Sequence, residues 1–319
     1  MMITSRSHPM NAFNSPSPAL KTLVAALAAT LALTACSPRS FGPAAEEPSD
    51  LSQTGIINGD PIRERGTQAA RSVVLVEMVN RHNQPLAFCT GTLIAPQTVL
   101  TAGHCFDDSI KGMTGFNIVF TNNYEIFGRK MLVRETTRRG LAYKHHPKFN
   151  STKLYDHDIA IATFDGGIPE GYSTVSIDTD TKGNYSERSV YVYGYGRSKD
   201  YTGKPNEDLF AYLGQLRRGV MQIDSQFNRY GDRYWLNSKV PVFICQGDSG
   251  GPQFSHENGV LKVIGVNSAV YGKRLPNGQV SCAGIAQATK VAPFAPWIKT
   301  TRTQLLQTTT EFSGTFSEH

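Results

Sequence analysis

The chain has 319 residues, of which 39% are hydrophobic and 18% charged, and its net charge is +6. The 29 glycines and 17 prolines indicate a turn-rich β protein and argue against a helical bundle or a disordered chain. The basic residues are spread along the sequence, and the Gly194-Tyr195-Gly196 run lacks the third glycine of a nucleotide-binding loop, so no nucleic-acid or nucleotide partner is predicted.

The first 35 residues have the features of an export signal. The uncharged apolar run at 23–35 is shorter than the roughly 20 residues that a membrane span needs, and it suits a signal-peptide core. Residues 33–36 read LTAC and resemble the lipobox of bacterial lipoproteins, in which Cys36 is acylated and anchors the protein in a membrane. Ser37 then favours the outer membrane. The alternative is ordinary cleavage at 35 with Cys36 a bystander.

A domain is predicted at 56–302, after a Pro-, Ala- and Ser-rich tether at 36–55. A helix is expected at Phe294–Leu306, and 303–319 is assigned as a C-terminal tail. Strands are predicted at Val73–Val79, Phe88–Ile94, Val99–Ala102, within 115–134, at Ile159–Ile161, Val190–Tyr195, Leu213–Ile223, Lys239–Ile244, Val260–Val266 and Val280–Ala288.

Three short motifs carry reactive side chains. Residues 247–252 read GDSGGP, a tight turn in which the N–H groups of Gly247 and Ser249 can point at a common spot. Residues 101–105 read TAGHC and offer a base, and residues 158–161 read DIAI and offer a carboxylate at the head of an apolar strand. A serine becomes a good nucleophile only when a neutral imidazole takes its proton.

These motifs, in the order His, Asp, Ser, resemble those of the trypsin/chymotrypsin family of serine proteases over residues 56–302. The resemblance implies an all-β fold of two six-stranded antiparallel β-barrels with a C-terminal helix. It implies that Ser249 is the nucleophile, His104 the base and Asp158 the group that orients the base. The N–H groups of Gly247 and Ser249 would form the oxyanion hole. No cofactor is implied.

The resemblance also implies an activation step. Residues 56–59 read IING and correspond to the family's mature N-terminus, whose freed amino group, here that of Ile56, pairs with Asp248. Since Gly55 precedes the cut, an activator of tryptic specificity is not expected. The alternative is that Ile56 and Ile57 form an edge strand of an intact chain.

The family's disulfide pairing implies Cys89 with Cys105 and Cys245 with Cys282, which leaves Cys36 for lipid. With both bridges inside the domain, cutting after Gly55 would free it from any anchor.

Specificity is expected to depart from that of trypsin. The position six residues before the serine is Asp in trypsin and Phe243 here, so no carboxylate is available for Lys or Arg. Ser268 is expected near Asp158, with Val270 and Ala286 on the walls of a shallow pocket for small aliphatic side chains.

Other polar groups are given minor roles. His145 and His146 lack further ligands at metal spacing, so turn packing is predicted and no metal site. Asp156 is expected to stay solvated, and His157 is a weak alternative base.

The sequence therefore predicts an exported serine endopeptidase, monomeric, acting on proteins or peptides. Two other hypotheses are a non-catalytic binding protein on the same fold and an acyltransferase or esterase. The motif order of the α/β-hydrolases, Ser, Asp, His, is absent, which disfavours the esterase.

Overall fold

A computed structural model describes residues 56–124, 136–153, 155–208, 212–237 and 242–314, and side chains as far as residue 307. The predicted export signal, the tether and Cys36 lie outside these residues.

Strands make up most of the regular secondary structure of the described chain, which also contains two α-helices, α1 (Gln68–Ser72) and α2 (Ala295–Gly314). The strands are β1 (Asp60–Pro61), β2 (Val73–Val79), β3 (Pro85–Ala95), β4 (Thr98–Thr101), β5 (Gly115–Val119), β6 (Thr137–His145), β7 (Ala160–Phe164), β8 (Ser176–Ile177), β9 (Ser189–Gly194), β10 (Arg217–Ile223), β11 (Arg233–Asn237), β12 (Pro252–Glu257), β13 (Val260–Tyr271) and β14 (Ile285–Lys290).

The first barrel closes in the order β2-β3-β4-β7-β6-β5, with antiparallel pairing throughout. Its strands are rich in β-branched and aromatic residues, which pack well on a pleated surface, and all seven residues of β2 are buried. Glu77 is the charged residue of β2, and the side chains of Asn117 and Tyr124 donate hydrogen bonds to its carboxylate. A buried carboxylate needs such partners to avoid a large desolvation cost.

The second barrel closes in the order β9-β10-β11-β14-β13-β12 and returns to β9. Two short strands are not part of this ring: β1 pairs antiparallel with β10, and β8 pairs in parallel with β13. In β11, Tyr234 and Leu236 are buried while their neighbours are more exposed, the alternation typical of a half-buried strand. The predicted pair of six-stranded antiparallel barrels is therefore confirmed.

The C-terminal helix is also confirmed, although it runs to Gly314, past its predicted end at Leu306. A short 3-10 turn at Ala292–Phe294 leads into α2, which packs on β6 and β7 of the first barrel through the buried Ile298 and Thr301. Within the described part of the chain, no helix has both the length and the apolarity to cross a membrane.

Three predictions about strands are wrong, at least in part. The strand predicted at Leu213–Ile223 begins only at Arg217. The strand expected at Lys239–Ile244 does not form in its described part, where Phe243 makes an isolated bridge to Ile57. Pro241 lacks the N–H that a central strand must donate, and β11 occupies the place in the barrel instead. The last strand begins at Ile285 and not at Val280, because the preceding residues form a loop.

Candidate active site

The side chains of His104 and Asp158 form a hydrogen-bonded pair on the first barrel. His104 lies in a 3-10 turn directly after β4, and Asp158 lies just before β7, the neighbour of β4. His104 Nδ1 is 2.8 Å from Asp158 Oδ2, and the backbone N–H of His104 donates to Oδ1 at 2.8 Å. The Ser268 hydroxyl donates to Oδ2 at 2.6 Å. Asp158 is fully buried, so these three donors replace the water that its charge has lost.

This carboxylate sets the protonation behaviour of His104. Burial by itself lowers the pKa of His104, but the charge and hydrogen bond of Asp158, with a smaller contribution from Asp107, raise it above its usual 6.5. With Nδ1–H directed at the carboxylate, Nε2 is left to accept a proton. The pair therefore has the electrostatics of a general base whose conjugate acid is stabilised.

The serine turn packs directly against the strands that carry His104. Gly250 has φ +80°, and a Cβ there would lie 2.0 Å from Thr101 Oγ1 and 2.3 Å from the Thr90 carbonyl oxygen. The Thr90 N–H donates to the Ser249 carbonyl at 2.8 Å. Only glycine permits this approach, which brings the partly exposed Ser249 of the second barrel against the strands that lead to His104.

Gly247, two residues before Ser249, is equally constrained. Gly247 has φ +95°, and the Thr90 hydroxyl donates to its carbonyl at 2.9 Å. These contacts fix the backbone of the turn in which the N–H groups of Gly247 and Ser249 are predicted to bind an oxyanion. A donor pair of this kind acts best when it is held in place before the reaction starts.

Asp248 is buried beneath the same turn. Its carboxylate accepts the N–H of Gly196 at 2.7 Å and that of Cys245 at 2.8 Å. A Cβ on Gly194 or Gly196 would lie within 2.5 Å of this carboxylate, so it occupies space that only glycine leaves open. Burial raises the pKa of Asp248 to about 8, although both N–H donors and the charge of Arg217 oppose the shift.

The start of the domain packs into the second barrel. Ile56 is fully buried in the core of the second barrel, and the Ile57 N–H donates to the Phe243 carbonyl at 2.9 Å, near Cys245. The pairing predicted between the Ile56 amine and Asp248 remains a prediction.

A cavity of about 270 Å³ opens beside Ser249. Of the predicted pocket residues, Ser268 and Val270 line it, whereas Phe243 and Ala286 are not among the described residues that do. Phe243 packs against a cluster that contains Ile57 and Tyr201, and Ala286 lies in the core of the second barrel. The cavity is lined by Tyr201, Ile244, Cys245, Gln246, Ser249, Asn267, Ser268, Ala269, Val270, Gly278, Gln279, Val280 and Cys282.

Tyr201 and Gln246 are lining residues that sequence reasoning missed. The loop that carries Tyr201 is held by Arg197, whose fully buried guanidinium lies 4.1 Å from the centroid of the Tyr201 ring and donates to Glu207 at 3.2 Å. The Tyr201 hydroxyl donates to the side chain of Gln246. The sequence shows Arg197 between Tyr195 and Tyr201. This pattern does not indicate that the arginine is buried or which surface its loop will cover.

The disulfides follow the implied pairing. Cys89 on β3 is bonded to Cys105 beside His104, and Cys245 is bonded to Cys282. Each bridge closes within one barrel and braces one side of the site.

The other polar groups singled out in the sequence lie around Asp158: Asp156 and His157 directly precede it in the chain, and His146 stacks on His157. Asp156 remains partly solvated, with 28% of its side chain exposed, and its Oδ1 lies 2.5 Å from Arg233 Nη2. His146 and His157 stack at 5.0 Å between ring centroids, and His157 Nδ1 is 3.5 Å from Asp232 Oδ2. The packing role predicted for His146 agrees with this arrangement.

Comparison with known proteins identifies the family. The Trypsin family profile matches residues 62–298, most of the described domain. The urokinase-type plasminogen activator of Gallus gallus is 27% identical over 203 residues, a match that covers 56% of this chain and 44% of that protein. The chain thus spans less than half the length of this relative. With a closed double barrel, paired His104 and Asp158, and the GDSGGP turn packed against the strands that lead to His104, the chain belongs to the trypsin family of serine proteases.

Proposed function

We propose that this protein is a serine endopeptidase that hydrolyses peptide bonds through a covalent acyl-enzyme. The observation that carries the proposal is the buried Asp158 carboxylate, which holds Nδ1 of His104 at 2.8 Å while the Ser249 turn packs against the strands beside it. Protein or peptide substrates follow from this chemistry.

In the proposed reaction, His104 Nε2 takes the proton of the Ser249 hydroxyl as the oxygen attacks the peptide carbonyl. The N–H groups of Gly247 and Ser249 stabilise the negative oxygen of the tetrahedral intermediate, and each such donor is worth about 10²–10³ in kcat. The proton then passes from His104 to the leaving amine. Water, deprotonated by the same imidazole, hydrolyses the ester on Ser249 and regenerates the enzyme.

The competing hypothesis, a non-catalytic binding protein on the same fold, is tested with a fluorophosphonate probe. Protein that begins at Ile56 is expected to form one covalent adduct, mapped to Ser249 by mass spectrometry, and Ser249→Ala is expected to form none. Ser109→Ala, which changes an exposed serine near His104, serves as the matched control and should label like the wild type. Absence of labelling in the processed wild type would support the binding protein.

We also propose that the chain is made as an exported zymogen, anchored through a lipidated Cys36 and cut between Gly55 and Ile56. The support is the burial of Ile56 in the second barrel, together with two disulfides that both lie within the domain. A cut after Gly55 therefore leaves no disulfide between domain and anchor, so activation and release from the membrane would be one event.

The primary specificity is proposed to be for small, uncharged side chains. The cavity beside Ser249 has no charged side chain among its described lining residues, and Val270 occupies part of its wall. Asp200 lies beside the Cys245–Cys282 bridge but is not a described lining residue, and its carboxylate already accepts the Cys282 N–H. A buried Lys or Arg of a substrate would therefore lack a counter-charge on the cavity wall.

Profiling with a peptide library checks this specificity. We expect cleavage after small aliphatic residues at least tenfold faster than after Lys or Arg, since an unpaired buried charge costs several kcal/mol. Val270→Gly is expected to admit larger side chains. Val260→Gly, which changes an exposed valine of the same strand, is the control. Cleavage by the wild type only after Lys or Arg would contradict the proposal.

A further inference from the structure

We propose that Asp232 is a positioning residue of the triad: it fixes the backbone of His157, which directly precedes Asp158, and so directs the Asp158 carboxylate at His104. This inference rests on the proposed function. Asp232 belongs to the second barrel, in the loop that enters β11, whereas Asp158 belongs to the first.

The segment before Asp158 has an unfavourable backbone. Tyr155 has φ +52° and His157 has φ +54°, a left-handed conformation that L side chains rarely adopt. Each such residue costs about 1–2 kcal/mol and persists only where the surroundings hold it. A local relaxation of His157 would turn the next residue, which is Asp158.

Asp232 supplies the restraint on this segment. Its Oδ2 accepts the His157 N–H at 2.9 Å, and the same oxygen lies 3.5 Å from His157 Nδ1. A hydrogen bond to a charged acceptor contributes about 1.5–3 kcal/mol, comparable with the strain it opposes. Asp232 is itself fixed, because its carbonyl accepts the Lys290 N–H at 2.8 Å.

The other side of Asp158 is held from the first barrel. The His146 N–H donates to the Ile159 carbonyl at 2.9 Å, and the Ile159 N–H donates to the His157 carbonyl at 2.8 Å. The His146 and His157 rings stack with an interplanar angle of 14°. From the second barrel, Ser268 and Thr289 bond directly to Asp158. Asp232 adds a restraint of a different kind, because it holds the backbone of the residue before Asp158.

Charged and titratable groups surround the contact between Asp232 and His157. His157 and Lys290 face it, and the Arg233–Asp156 pair lies beside it. Burial, with contributions from His157 and Lys148, lowers the pKa of His146 to about 4, so the stacked His146 ring is neutral at neutral pH. A neutral His146 ring does not compete with His157 for the Asp232 carboxylate.

A displaced Asp158 would change the pKa of His104, which a measurement of overall stability does not report. The Asp158 charge raises the pKa of His104, which is also influenced by Asp107. If the carboxylate moves away, that pKa falls, and the acid limb of the kcat/KM profile moves to lower pH. The misaligned base also lowers kcat, since a displacement of about 1 Å can cost about a hundredfold in rate.

The test compares Asp232→Ala with Asp232→Asn in the processed full domain. In Asp232→Ala we expect kcat to fall about ten- to hundredfold, KM to change less than about twofold, and the acid limb to move to lower pH. Asp232→Asn, whose amide oxygen still accepts the His157 N–H, should retain most of the activity. Asp156→Ala, which breaks the neighbouring ion pair to Arg233, is the matched control and should leave the acid limb in place.

Asp232→Ala with a lower Tm but unchanged kcat and acid limb would overturn the inference and make Asp232 a structural residue only. If Asp232→Ala does not fold, Asp232→Glu gives the same test, because the longer side chain moves the carboxylate away from the His157 N–H. The proposed function is judged separately, by whether the wild type hydrolyses peptides and labels at Ser249.

Discussion

Replacing Asp158 with Asn is expected to lower kcat by about 10⁴-fold, the loss known for this change in a His-Asp-Ser triad. The amide keeps the size of the carboxylate but presents N–H groups where two donors now point, the His104 Nδ1 proton and the Ser268 hydroxyl. His104 would turn or change tautomer, and Nε2 would no longer be a free acceptor. Steady-state kinetics on a peptide substrate between pH 5 and pH 9 measure the effect.

The residual activity should also show a changed pH profile. Because the Asp158 charge raises the pKa of His104, its removal should move the acid limb of kcat/KM to lower pH. Asp156→Asn, which alters the other carboxylate of the same loop, is the control and should change kcat little. If Asp158→Asn kept activity within about tenfold of the wild type, the assignment of the triad would be wrong.

Replacing Asp248 with Asn is expected to lower kcat of the processed protein by at least about 10²–10³-fold, the scale of losing an oxyanion donor. The amide cannot form the proposed ion pair with the Ile56 amine, and it directs N–H groups at the N–H of Gly196 or Cys245, which Asp248 now accepts. The turn that carries Gly247 would lose its support. Asp178→Asn, at another buried aspartate of the second barrel, is the control.

The pH dependence of stability tests the same proposal in the uncut chain. Folding raises the pKa of Asp248 from 3.8 to about 8, so the folded chain holds a proton that the unfolded chain releases. The free energy of unfolding of uncut Ser249→Ala protein should therefore fall as the pH rises from about 4 to about 8. After cleavage at Gly55, the Ile56 ammonium would stabilise the carboxylate, and this fall should become smaller.

Urea unfolding of both forms at several pH values measures this difference, and N-terminal sequencing confirms the start of each form. Equal pH dependence in cut and uncut protein would show that the Ile56 amine does not reach Asp248. An uncut chain that hydrolyses peptides as fast as the cut one would lead to the same conclusion.

The parts of the site that the sequence predicts are those encoded in short runs. His104 next to Cys105, and Ser249 within GDSGGP, carry their local geometry with them, because the glycines and the disulfide determine the backbone. The order of the motifs led to the family resemblance, and from it to the double barrel. The placement of Ser268 against Asp158 followed from the same alignment.

The parts that the sequence did not predict depend on contacts between distant segments. Phe243 lies near the serine in sequence, but the Ile57 bridge and the cluster around Tyr201 draw it away from the cavity lining. The Tyr201 ring is held at the cavity by the buried guanidinium of Arg197, and Asp232 reaches His157 because the two barrels pack together. The hydrophobic periodicity of a local stretch of sequence does not indicate such contacts.

The confinement of each disulfide to one barrel has a consequence for the lifetime of the protein. Base and carboxylate lie on one barrel and the nucleophile on the other, and the chain between them, 165–188, is largely exposed or half-exposed. A single nick there would produce two polypeptides that adhere without any covalent tether. Their reassociation would depend on concentration. A nicked molecule would therefore keep its activity at high protein concentration and lose it on dilution.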